Sequence, residues 1–163
     1  MMLSWRPRLI MGSLAVVSCS GGTAGLGPHT TNSLTATING EQVAATDLQV
    51  TFGATDVRIT GQWTDGAVTK QLVFDIYGDL TPGTTDIAAQ FLTYASYFET
   101  RDSTTAEWTT ALNGATGSIT FTVKSATRVA GTFSFVAVPV PHTGSTGSRT
   151  VTHGAFDLVP ETN

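Results

Sequence analysis

A chain of 163 residues with 40% hydrophobic, 9% aromatic and only 12% charged residues is long enough for one domain and too short for two of ordinary size. Soluble chains usually give about a quarter of their positions to charge; here 30 threonines and 17 glycines take that place, and β-branched side chains suit a pleated surface better than a helix, so the composition speaks for an all-β domain. With 8 basic residues against 12 acidic and a net charge of −4, the chain lacks the basic face that a phosphate backbone requires, which argues against nucleic acid as a partner.

In chain order, Arg6 and Arg8 precede the apolar run from Leu9 to Val17, the charged-then-hydrophobic order of an export signal. The run is too short to span a bilayer. It ends in Val16-Val17-Ser18-Cys19, which resembles the bacterial lipobox. The resemblance implies cleavage before Cys19, a diacylglycerol on its thiol and a further acyl chain such as palmitate on the new amine. Several acyl chains anchor a protein to a membrane where one does not, so the expected address is the cell envelope, with the outer membrane favoured by Ser20 in the position where Asp would retain the protein at the inner one. A lone cysteine has no internal disulfide partner in an exported domain. An acylated one needs none, and plain secretion is the alternative.

Loss of the first 18 residues leaves 145 and removes Arg6 and Arg8, so that 6 basic residues face 12 acidic ones and the net charge becomes −6. Residues 1–18 thus read as a lipoprotein signal peptide and 19–33 as the lipidated cysteine with a Gly-rich flexible tether. Residues 34–160 read as a single β-domain.

The first strand signal is Leu34-Thr35-Ala36-Thr37-Ile38 ahead of Asn39-Gly40. A two-residue primed turn there pairs Ile38 with Glu41, Ala36 with Val43 and Leu34 with Ala45, and puts Leu34, Ala36 and Val43 on the core side. Alternation of apolar and polar residues then marks strands at Leu48–Phe52, Val57–Trp63, Leu72–Ile76 and Ile119–Val123, with turn chemistry at Asp65-Gly66, Pro82-Gly83 and Asn113-Gly114. The flanks of Ala88–Leu92 argue strand over a turn of helix. Ile119, Phe121 and Val123 are expected to share a buried face against Val129, Phe133 and Phe135 across a turn near Ser125–Arg128, leaving Lys124 and Arg128 in water. Residues 139–148 read as a mobile polar loop before a last strand, Thr150–Leu158, whose Phe156 and Leu158 close the core. The rhythm predicts eight or nine strands in an antiparallel β-sandwich or a partly open up-and-down barrel.

The segments Gly131-Thr132-Phe133-Ser134-Phe135 and Gly154-Ala155-Phe156-Asp157, together with the opening Leu34–Glu41 hairpin and the lipobox, resemble a family of uncharacterised bacterial lipoproteins known mostly from Bacteroidetes. The resemblance covers both ends of the domain, while residues 45–115 match in strand rhythm alone. At Gln42-Val43 the chain departs from relatives that tend to place an aromatic after the turn. The family implies an envelope address and brings no activity or catalytic residue with it.

Catalytic chemistry is thinly represented. Of the histidines, His29 falls in the tether, His142 in the polar loop and His153 in the last strand; no Gly-x-Ser-x-Gly elbow occurs, and dispersed histidines with one acylated cysteine give no zinc spacing. Asp56, Asp65, Asp75, Asp79 and Asp86 lack the spacing of a calcium loop and suit ordinary turns. A glycosidase pair of Asp75 with Glu99 or Glu107 is the enzymatic alternative. Among the aromatics, Trp63 continues a core row, Tyr94 and Tyr97 fall on opposite faces of one strand, and Trp108, flanked by Glu107 and two threonines, is expected to be exposed. Trp108 and Tyr94 are therefore the candidate ligand contacts, with no cofactor or metal expected. The leading expectation is a lipid-anchored, non-enzymatic binding or structural domain; a carbohydrate-active hydrolase and a lipocalin-like carrier are the alternatives.

Overall fold

Asn39 and Gly40 adopt φ of 49° and 89°, the two left-handed residues of a primed turn, which matches the twist of the strands it joins. The turn links β1 (Ser33–Ile38) to β2 (Glu41–Ala44). Ile38 faces Glu41 and Ala36 faces Val43, and Ala45 N–H donates to Leu34 O at 2.9 Å, so the register is the expected one. Leu34 and Ala36 are buried and Val43 packs against the core half-buried.

The computed structural model describes residues 32–78 and 81–160. The signal peptide, Cys19, the tether through Thr31 with His29, and Asp79 lie outside the described residues. After the hairpin come β3 (Asp47–Phe52), β4 (Asp56–Asp65), β5 (Val68–Tyr77), β6 (Gly83–Asp86), β7 (Tyr94–Arg101), β8 (Thr104–Thr109), β9 (Thr116–Ser125), β10 (Arg128–Pro139) and β11 (Arg149–Leu158). The fold is all-β. Nine strands follow one antiparallel path, β2-β1-β11-β10-β8-β7-β5-β4-β3, and β9 with β6 branch from β10. The sheet curls into a half-barrel. Its two ends are consecutive strands: Ala45 N–H reaches Leu34 O and Thr46 N–H reaches Gln62 O, each at 2.9 Å, so the short link from β2 to β3 bridges the two edges.

The concave side is filled. Phe74, Phe133, Phe135 and Phe156 meet in ring contacts with centroids 4.7 to 6.3 Å apart, and Ile59, Leu72, Ile119, Val129, Val151 and Leu158 pack around them. These side chains occupy the volume that a lipocalin-like carrier keeps open for its ligand.

Two β-bulges reset the alternation, and one of them overturns an expectation. Pairing of β10 with β9 passes from Ala130↔Val123 to Gly131↔Phe121, so Thr122 is an extra residue on β9. An extra residue shifts every later side chain to the other face. Lys124 therefore joins Phe121 on the buried side, 8% exposed, with its Nζ 4.6 Å over the Phe121 ring, while Val123 is only half-buried. Arg128 is not loose in water either: its Nε and Nη2 bind the two carboxylate oxygens of Asp157 at 2.8 and 2.7 Å. The second bulge lies in β11, where Thr152 and His153 together face Ser134. His153 takes φ 51°. The insertion keeps both Val151 and Phe156 inward across an odd separation.

Two further expectations are corrected. Ala88–Leu92 forms no strand; it is a bend between β6 and β7 in which Phe91 and Leu92 are exposed, because Ala89 instead donates its N–H to Thr110 O. The polar loop at 139–148 is tied down: Thr143 and Ser145 hydroxyls donate to Val140 O at 2.8 and 3.1 Å, and Thr143 Oγ1 accepts Glu107 N–H.

Candidate functional site

In β5, Leu72, Phe74 and Ile76 point into the core, so Gln71, Val73 and Asp75 face outward; in β7, Ala95 and Tyr97 point in and Tyr94, Ser96 and Phe98 out. Register aligns these into rungs across the convex face. Thr51, Arg58, Asp75 and Tyr94 form one; Gln49, Thr60, Val73, Ser96 and Thr109 the next; Asp47, Gln62, Gln71, Phe98 and Glu107 the third. The short side chains of the middle rung are sunk, with Val73 3%, Ser96 2% and Thr109 6% exposed. Tyr94 and Phe98 flank them half-buried. Asp47, Gln49, Thr60, Gln62 and Gln71 line a polar depression of about 150 Å³ on the same face.

The polar groups here are largely held. Arg58 Nη1 donates to both carboxylate oxygens of Asp75 at 3.0 and 3.1 Å. Burial, and then a hydrogen bond to Asp75, push the Tyr94 phenol above its ordinary pKa, so Tyr94 stays a neutral donor. Ser96 Oγ donates to Thr109 Oγ1 at 3.1 Å and reaches Glu107 Oε1 at 3.5 Å. The arrangement offers amides, hydroxyls, an ion-paired carboxylate and two aromatic edges on one face.

Burial raises the Glu107 carboxyl above its usual range, against an opposing hydrogen bond from Ser96. A carboxyl whose pKa rises on folding stabilises the fold at low pH, and that contribution is lost as the pH climbs through its folded value. Glu107→Gln should therefore raise the melting temperature at pH 7 and have a smaller effect at pH 4, below the ordinary 4.5. Thermal melts of both proteins at the two pH values check it; a gain that grows on acidification would contradict the sign.

The two candidate contacts part company. Tyr94 lies on the convex face as described. Trp108, expected in solvent, is 2% exposed. Its indole sits 5.7 Å from Tyr97, the Arg149 guanidinium lies 3.7 Å over it, and its Nε1–H donates to Gly147 O at 2.9 Å. The loop after β10 has folded back and covered it. Trp63 is core and Tyr97 is buried, its hydroxyl donating to Glu99 Oε1 at 2.9 Å; burial and that bond push its pKa far up.

Asp75 and Glu99 emerge on opposite faces of the sheet, which removes that carboxylate pair. Asp75 and Glu107 share a face but stand two strands and two rungs apart, about 16 Å between backbones at ordinary strand spacing, beyond the 9.5 Å or so that glycoside hydrolysis tolerates. Asp65 is held by Lys70 Nζ at 2.8 Å and Asp86 caps Ala88 N–H at 2.8 Å. His142 and His153 are both exposed. Among the described residues no three of His, Cys, Asp and Glu come together as a metal site.

The convex rungs were missed as a unit. Each strand's outward residues follow from its alternation, but the neighbours do not: β7 lies beside β5 although β6 falls between them in sequence. The chain matches no protein-family model, no curated protein and no solved structure.

Proposed function

We propose that this is a lipid-anchored binding domain of the bacterial cell envelope, held by acyl chains on Cys19 and non-enzymatic in role, whose ligand face is the convex surface around Tyr94. The observation that carries the reading is the leader: Arg6 and Arg8, the apolar run, Val16-Val17-Ser18-Cys19, and then a Gly-rich stretch that gives way to β1 at Ser33. Fully extended, the residues from Ser20 to Thr31 reach about 40 Å, so a domain on this tether stays within a domain's diameter of its membrane. Ser20 after Cys19, where Asp would retain the protein at the inner membrane, favours the outer membrane within that envelope.

Expressed with its own leader in a Gram-negative cell, the wild type should incorporate labelled palmitate and sediment with membranes. Cys19→Ala should abolish labelling and accumulate as the uncleaved precursor. A mature wild-type protein that is soluble and unlabelled would overturn the anchoring and leave secretion in its place.

A further inference from the structure

The exposed large apolar side chains of the described residues are Tyr77, Phe91, Leu92 and Val159, at 49, 89, 65 and 43% exposure. They are not scattered. Every pairing along the path from β1 to β4 is antiparallel, so strand direction gives the end of the sheet toward which each residue lies, with β7 and β5 staggered along β10 as in a tilted, curled sheet. β1 begins at Ser33, β11 ends before Val159, β5 ends at Tyr77 and β7 begins just after Leu92, all at one end. There the Thr93 hydroxyl bridges Tyr77 N–H and C=O at 3.1 and 3.2 Å, which seats Leu92 beside Tyr77. Asn32 Oδ1 accepts Val159 N–H at 2.7 Å, which fixes the chain's entry point beside Val159.

The opposite end is polar. It carries Glu41, Asp47, Asp65, Lys70, Glu99, Arg101, Asp102 and Arg149, with Lys70 bonded to Asp65 and facing Glu41. The apolar end carries charge as well, but little of it is loose: Arg128 and Asp157 neutralise each other, Lys124 is buried with its Nζ over the Phe121 ring, and Asp56 lies half-buried across from Tyr77.

We infer that the end of the sheet bearing Phe91, Leu92 and Tyr77 rests on the bilayer that holds the acyl chains, with Phe91 and Leu92 at the boundary between headgroups and hydrocarbon. The occupant follows from where the described chain begins: Asn32 and the start of β1 lie at this end, so the segment that leads from Cys19 joins the domain here, and Tyr beside aliphatic and Phe side chains is the composition that partitions to a membrane interface. The inference rests on lipid anchoring at Cys19.

The test uses the full-length lipidated protein in vesicles of phosphatidylethanolamine and phosphatidylglycerol, with a nitroxide on Gln90→Cys and, separately, on Ala67→Cys in the Asp65–Val68 turn at the far end. Acylated Cys19 takes no label. Power saturation should show the label at 90 several-fold more accessible to oxygen than to a water-soluble nickel complex, and the label at 67 the reverse. Adding F91S and L92S, which alter side chains already in solvent and leave the fold intact, should return label 90 to the aqueous pattern while the protein stays on the vesicles. An aqueous label 90 on vesicle-bound wild type overturns the inference and leaves the anchoring standing. Failure to associate with vesicles overturns both. Dipolar broadening between labels at 90 would assign the patch to a second copy of the chain and overturn the bilayer as its occupant.

Discussion

Phe133→Ala will cost the domain about 3 to 5 kcal/mol, the range for an aromatic truncated in a packed core. The ring is 4% exposed, meets Phe74 edge-on at 4.7 Å and Phe135 and Phe156 at 6.2 and 6.3 Å, so no single neighbour can move in to fill the void. It also lies over Gly154, its partner across β10 and β11, where a Cβ would overlap the ring. Gly154→Ala alone should therefore destabilise by about 1 to 3 kcal/mol through overpacking. The two changes are opposite errors in one space. Combined, the new methyl enters the room the ring vacates, and the double variant should fall short of the sum by about 1 kcal/mol or more. Urea unfolding of the four proteins measures the cycle; strict additivity would mean that the ring does not rest on Gly154.

Trp108→Ala should cost a similar 3 to 5 kcal/mol and, unlike Phe133→Ala, should also free a distant segment. The indole is the floor on which residues 140–148 lie: its N–H holds Gly147 O, and Arg149, ion-paired with Glu99 at 3.5 Å, stacks on its face. Without it, trypsin should cut after Arg149 under conditions that leave the wild type whole. Trp108→Phe keeps the apolar contact and loses the hydrogen bond, and should cost about 1 kcal/mol with little new cleavage. Equal resistance of the wild type and the alanine variant would show that the loop is held by Thr143 and Ser145 alone.

What could be read in advance follows from the range of the forces involved. The Asn39-Gly40 turn is local, so the first hairpin and its register are legible from ten residues. Alternation places Phe133, Phe135, Phe156 and Leu158 in the core because each strand needs only its own neighbours to decide its faces. Lys124 defeats that logic: the extra Thr122 on β9 is imposed by pairing with β10, and nothing within β9 announces it. Trp108 fails for a related reason, since its cover arrives from residues nearly forty positions later. On the candidate face, the outward direction of Tyr94 is legible in its strand, whereas its placement beside Asp75 depends on β7 docking against β5. The apolar rim is harder still, because Tyr77, Leu92 and Val159 converge on one end only through the alternating directions of eleven strands.

The pairing of β1 with β11 joins residue 33 to residue 157, and it has a kinetic side. Contacts so far apart in sequence form only after the loop between them has been closed, which slows folding in proportion to the entropy surrendered. As the chain emerges from its N-terminus, the first hairpin has no strand beside β1 until residues 149–158 arrive. Until then β1 and β10 both present open edges, ready to pair with any strand nearby. A chain stopped short of residue 149 should thus be an aggregating species rather than a smaller domain, and the final strand acts as the latch that converts a set of hairpins into one cooperative unit.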